Sequence, residues 1–187
     1  MSALERLTEI AENVKDVFGY FWSVSDVEHS FIHRGLGYTL IGTTGSLASG
    51  DSYYISIRTP IETSNRYVHI RPALLASSAN ILQVTLLEGA AFTAGAASYG
   101  ENMNRNYPPG PSGFITLNAT SVSGGTTIFQ DVVGSTSNAG QGGSKGLVNE
   151  RVLKPDTNYV VKFTNAGATT ATVGYYTLFW YIGSRGK

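Results

Sequence analysis

Leu147-Val148-Asn149-Glu150-Arg151-Val152-Leu153, then Lys154-Pro155-Asp156-Thr157-Asn158, then Tyr159-Val160-Val161-Lys162-Phe163, and at the end of the chain Tyr175-Tyr176-Thr177-Leu178-Phe179-Trp180-Tyr181-Ile182, decide the fold. Pro155 presets φ near about −65° and removes a backbone donor, while Asp156 and Asn158 bond their own backbone, so one strand stops here and another begins. With a second turn over residues 164–170, the stretch predicts three consecutive strands. In the last of them Tyr175, Thr177, Phe179 and Tyr181 fall on one face, and Tyr176, Leu178, Trp180 and Ile182 on the other. Large side chains on both faces predict a strand covered on both sides, by a second sheet and by a neighbouring subunit or segment, and therefore central in its sheet.

Working outward, the same alternation predicts strands over residues 31–41 and 52–59, the second closed by Pro60, which cannot continue a central ladder. Residues 66–76 follow, with Pro72 at an edge or bulge, and then residues 80–87, whose near-continuous apolar run suits a strand buried on both faces. Residues 114–122 and 126–133 read as two strands joined by a hairpin turn at Gly124-Gly125. Residues 95–113 lack periodicity and read as a long functional loop, and residues 134–146 as a Gly/Ser linker. With 22 glycines and 11 tyrosines among 187 residues, the chain has the make-up of an all-β protein of short strands and frequent turns. The prediction is a jelly-roll-like β-sandwich of about eight or nine strands, with no internal repeat.

Helix is expected at the start alone. Ser2 and Glu5 form a capping-box pattern, and Leu4, Leu7, Ile10, Ala11, Val14, Val17 and Phe18 recur at helical spacing up to Gly19. The chain therefore divides into a helical arm, residues 1–24, and a β-domain, residues 25–187. The apolar stripe either packs on its own domain or docks on another subunit; Tyr20-Phe21-Trp22 supplies anchors of the kind enriched at interface hot spots. The acidic balance of its polar face argues against a membrane-surface helix.

The formal net charge is zero and charged residues make up 14% of the chain, which disfavours nucleic acid as a partner. Without cysteine there are no disulfides or thiolate metal sites. Neither a signal-peptide pattern nor an apolar run of the roughly 18–20 residues needed to cross a membrane is found. The Asn118-Ala119-Thr120 sequon is accordingly expected to be unused.

Residue patterns that carry chemistry are few. His29 and His33 have the i, i+4 spacing of helical zinc ligands, but on the predicted strand they stand too far apart for one ion. Gly142-Gly143-Ser144-Lys145-Gly146 lacks the order and the following helix of a phosphate loop, and no Gly-x-Ser-x-Gly elbow occurs. Asp51, Glu62, Glu88, Glu101, Asp131, Glu150 and Asp156 lie mostly at strand ends or in loops, where a glycosidase-like pair remains an open alternative. The expectation is a non-enzyme with no catalytic residue, cofactor or metal.

In order and spacing, Ile57-Arg58-Thr59-Pro60, Tyr67-Val68-His69-Ile70, Val84-Thr85-Leu86-Leu87-Glu88-Gly89, Asn102-Met103-Asn104-Arg105-Asn106, Leu153-Lys154-Pro155-Asp156-Thr157-Asn158-Tyr159, Thr164-Asn165 and Trp180-Tyr181 resemble the cement or decoration proteins that coat tailed-bacteriophage capsids. The resemblance spans residues 31–182 and leaves the N-terminal helix outside the family pattern. It implies a jelly-roll β-sandwich and a structural role at the capsid surface, after assembly in the host cytoplasm. It also implies as partners the major capsid protein and the chain itself, as a dimer or trimer, with no nucleic acid or membrane. A cement adds interface between subunits that already touch, at about 800 Å² per partner. Leu7, Ile10, Val14, Phe18, Phe21 and Trp22 of the arm and Asn104, Arg105 and Asn106 of the loop are the candidate interface, with Arg105 suited to bind carboxylates bidentately. The alternatives are a tail or fibre-base part and a carbohydrate-binding module.

Overall fold

β15, the strand Gly174–Ser184, lies at the centre of an antiparallel sheet, as its two apolar faces predict. The computed structural model describes residues 27–61, 66–71, 76–78, 80–110, 114–134, 140–142, 150–171 and 174–184. The predicted arm, with Leu7, Ile10, Val14, Phe18, Phe21 and Trp22, lies outside the described residues. One flank of β15 takes β1 (Gly37–Thr43), in register from Gly37 opposite Tyr181 to Thr43 opposite Tyr175. The other flank takes β3 (Arg66–Arg71) and β4 (Ala76–Ser78) end to end. β12 (Gly140–Gly142) adds to β4, β13 (Arg151–Val152) to β3, and β8 (Glu101–Asn102) to the outer side of β1.

The second sheet runs β11 (Thr126–Val133), β5 (Leu82–Glu88), β14 (Asn158–Asn165), β2 (Ser52–Arg58), β9 (Ile115–Leu117), β7 (Ala96–Ser98). The long strands pair in a nested order. β1 pairs with β15, β2 with β14, β3 and β4 with β13 and β12, and β5 with β11. The protein is thus all-β by architecture, built from antiparallel sheets whose inner faces share one apolar core. Tyr159, Val161 and Phe163 of β14 enter that core from one sheet, and Leu40, Ile70 and Trp180 from the other. Trp180 stacks on Tyr38 at 5.6 Å between ring centroids, with Phe114 at 6.0 Å. Full burial of such side chains contributes about 1.5–3 kcal/mol each.

Three local expectations are corrected. The predicted strand over residues 31–41 starts only at Gly37, because Val27–His33 forms a helix, α1. It ends in a Schellman motif: Gly35 has φ +69°, its N–H donates to Ile32 O at 2.9 Å, and Leu36 N–H donates to Phe31 O at 2.9 Å. The predicted strand over residues 114–122 is broken at Asn118, whose φ of +54° takes the chain out of β9 before β10 (Thr120–Ser123) begins. Gly124-Gly125 is not a hairpin turn. β10 pairs with β6 (Ala91–Thr93) while β11 pairs with β5, so the two glycines, with Gly89 opposite, kink one long ribbon.

Beyond that kink, the described residues of 89–125 run away from β5 and β11 and return to extend the edges of both sheets. β9 joins the edge of β2 and carries β7, while β8 joins the edge of β1. The presumed long loop therefore contains two short strands, and strand edges that would otherwise invite pairing with another chain are in part occupied.

Candidate functional site

The loop Glu101 to Gly110 sits on β1 and the end of α1, and asparagine side chains hold it there. Asn102, 2% exposed, donates from Nδ2 to Gly35 O at 3.0 Å and to Pro108 O at 3.1 Å, and its Oδ1 accepts from Asn104 N–H at 2.9 Å. Met103 N–H donates to Gly37 O at 3.0 Å. Asn104 Nδ2 donates to His33 O at 2.9 Å, while its Oδ1 accepts from Asn106 N–H at 3.2 Å and Asn106 Nδ2 at 3.1 Å. Tyr107 N–H then closes a turn on Asn104 O at 3.0 Å.

Of the candidate residues, Asn104, Arg105 and Asn106 are thus brought together in one anchored loop. Asn104 and Asn106 spend hydrogen bonds on the loop itself. Arg105 projects outward and ion-pairs with Glu101, with side chains 75% and 65% exposed, so the pair contributes at most about 1 kcal/mol. Asn102 is the anchor that a single sequence does not single out, since nothing marks one asparagine of the run as buried. Gly35 and Gly100 complete the lock. A Cβ on Gly35 would overlap the Tyr107 ring, and one on Gly100, at φ +60°, would overlap the indole of Trp180.

Four large apolar side chains remain on this side of the molecule or on its loops: Ile41 at 71% exposure, Tyr99 at 52%, Tyr107 at 46% and Met103 at 41%. β8 pairs only with Tyr38 and Thr39, so the outer edge of β1 from Leu40 to Thr43 carries no strand partner among the described residues. A cleft of about 380 Å³ opens beside that edge, lined by Ile41, Ala97, Tyr99, Glu101 and Pro109 among others.

α1 also changes the reading of the histidine pair. His29 and His33 lie on one helical face with their Nε2 atoms 2.9 Å apart, where the strand expectation had separated them. Among the described residues no three His, Cys, Asp or Glu side chains gather as a metal-holding group. His69 Nδ1 meets Glu150 Oε1 at 2.5 Å across the β3–β13 pair.

Glu88, read from sequence as a strand-end carboxylate, locks the Pro155 turn. Lys154 Nζ donates to its Oε1 at 2.6 Å and Tyr159 OH to its Oε2 at 3.0 Å, while Lys154 N–H donates to Tyr159 OH at 2.9 Å. The hydrogen bond from Lys154 holds the Glu88 carboxyl below its ordinary pKa, and burial pushes the Tyr159 hydroxyl up to about 12. No helix among the described residues is long and apolar enough to cross a membrane. No protein-family model, curated protein or solved structure matches the chain.

Proposed function

We propose that this chain is a jelly-roll structural protein of a bacteriophage virion, which decorates the capsid and cements neighbouring major capsid subunits. The nested pairing supports the jelly-roll assignment. Successive long strands pass between the two sheets so that first meets last, second meets second-last, and so inward, as when a long hairpin is rolled into two Greek keys. On this reading residues 1–24, expected from the sequence to form an amphipathic helix, serve as an arm to an adjacent capsid or cement subunit.

The observation that carries the function is the excursion of residues 89–125. It presents Met103 and Tyr107 on a loop held by internal hydrogen bonds and by contacts to α1 and β1, with Tyr99 exposed just before it. A preorganised loop loses little backbone entropy on docking, and exposed aromatic and Met side chains are enriched at interfaces. Arg105 adds a partly neutralised guanidinium for carboxylates of the shell. The protein acts at the capsid surface as a dimer or trimer.

Copy number in purified virions tests this reading. A small-integer ratio to the major capsid protein supports it; a few copies confined to one vertex sinks it and favours a tail or fibre-base part. Tyr99, exposed at the mouth of the cleft, favours a second reading as a carbohydrate-binding module, because a sugar ring stacks on such a face. Binding to host surface polysaccharide that is lost in Tyr99→Ala would establish it.

A further inference from the structure

We propose that His29 and His33 chelate one divalent transition-metal ion, Cu2+ or Ni2+ in preference to Zn2+. Their side chains project from consecutive turns of α1, where a hydrogen bond holds the two Nε2 atoms 2.9 Å apart; the ion takes the place of that bond when both Nε2 atoms are unprotonated and the ring protons sit on Nδ1. Metal–imidazole bonds run about 2.0–2.1 Å, so nitrogens at that separation subtend about 90° at a shared ion. A tetrahedral ion would hold its two ligands about 3.3 Å apart. The right angle belongs to adjacent positions of a square-planar or octahedral ion, the preference of Cu2+ and Ni2+. Imidazole nitrogen likewise disfavours Ca2+ and Mg2+, which take oxygen.

The pair is held ready for this. The C-terminal end of α1 is fixed by the Schellman bonds at Gly35 and Leu36 and by the Asn104 side chain on His33 O, while Ile182 N–H of β15 donates to Leu36 O at 3.1 Å. The rings meet edge to face at 4.5 Å between centroids. Among the described residues no third ligand of the usual types joins the pair.

The test is calorimetric titration of Ni2+, Cu2+ and Zn2+ into the full chain in a non-coordinating buffer. One Ni2+ per chain is expected, with Cu2+ tighter and Zn2+ weaker. Loss of a group that merely orients a ligand costs about 10–100-fold, so His29→Ala and His33→Ala each weaken Ni2+ by at least about tenfold. His69→Ala, on β3, leaves it unchanged. Proton NMR of the wild type provides a second readout that needs no variant to fold: substoichiometric Ni2+ broadens the His29 and His33 ring signals together and spares His69. Equal Ni2+ affinity in wild type and the His29→Ala/His33→Ala double variant, tighter binding of Zn2+ than of Ni2+, or selective broadening of His69 overturns the proposal.

Discussion

Asn102→Ala removes a buried side chain that ties the loop to the turn after α1, and its cost follows from the bonds it makes. Asn102 is 2% exposed, so the groups it satisfies have little access to water: two carbonyls, Gly35 O and Pro108 O, and the Asn104 N–H. At about 1 kcal/mol net for each of the three, with orphaned groups at the upper end of the range, the loss is about 3 kcal/mol. For a domain of this size that lowers the melting temperature by about 6–12 °C. With a urea slope of about 2 kcal/mol/M, the midpoint falls by about 1.5 M with the slope unchanged. The assay is urea unfolding followed by Trp fluorescence and far-UV circular dichroism, with Asn106→Ala as the exposed comparison, expected within about 0.5 kcal/mol of wild type. A loss below about 1 kcal/mol, or one no larger than that of Asn106→Ala, refutes the idea that this side chain anchors the loop.

Gly100→Ala combines overlap with the Trp180 ring and a left-handed backbone, a loss of about 2–4 kcal/mol, whereas Gly124→Ala, left-handed but facing open space, loses about 1 kcal/mol; equal melting temperatures for the two would contradict this. Because Lys154 depresses the folded-state pKa of Glu88, their contribution is complete above the unfolded carboxylate pKa and is lost as pH falls through the lower folded value; Glu88→Gln should flatten that acid limb of a stability-against-pH curve. Tyr159 is raised from 10.0 to about 12, so its contribution holds below pH 10 and is lost as pH climbs through about 12; Tyr159→Phe should flatten the alkaline limb. Arg105→Ala should leave stability within about 1 kcal/mol and weaken binding to shells, and unchanged shell affinity would remove Arg105 from the interface.

Sequence and structure agree where the apolar pattern is strong, whether alternating or on both faces. Tyr53-Tyr54-Ile55-Ser56-Ile57, Leu82 to Glu88, Tyr159 to Phe163 and the terminal aromatic run all form strands, and β15 is central because both of its faces are apolar. The Pro155 turn stands where Pro and Asp dictate, with Asp156 at φ +47°. α1 was legible as well. His33-Arg34-Gly35 carries the basic last turn and αL glycine of a helix end, but the alternation of Leu36, Tyr38 and Leu40 drew the strand back too far. Missing that helix removed the geometry that brings His29 and His33 together. Other features depend on partners distant in the chain. Gly124-Gly125 has hairpin chemistry, yet β10 takes β6 as partner, and neither turn residues nor periodicity encodes that choice. The burial of Asn102 is likewise set by Gly35 and Pro108 and leaves no mark on its neighbours.

The central claim, that this protein binds and strengthens a capsid, is tested most directly by adding the purified chain to empty shells that lack it. The quantities to measure are the copies bound per shell and the melting temperature of the shell. Saturation at a small-integer ratio to the major capsid protein, with a raised melting temperature, is the predicted result. Failure to bind, or binding at a single vertex with the melting temperature unchanged, would contradict it.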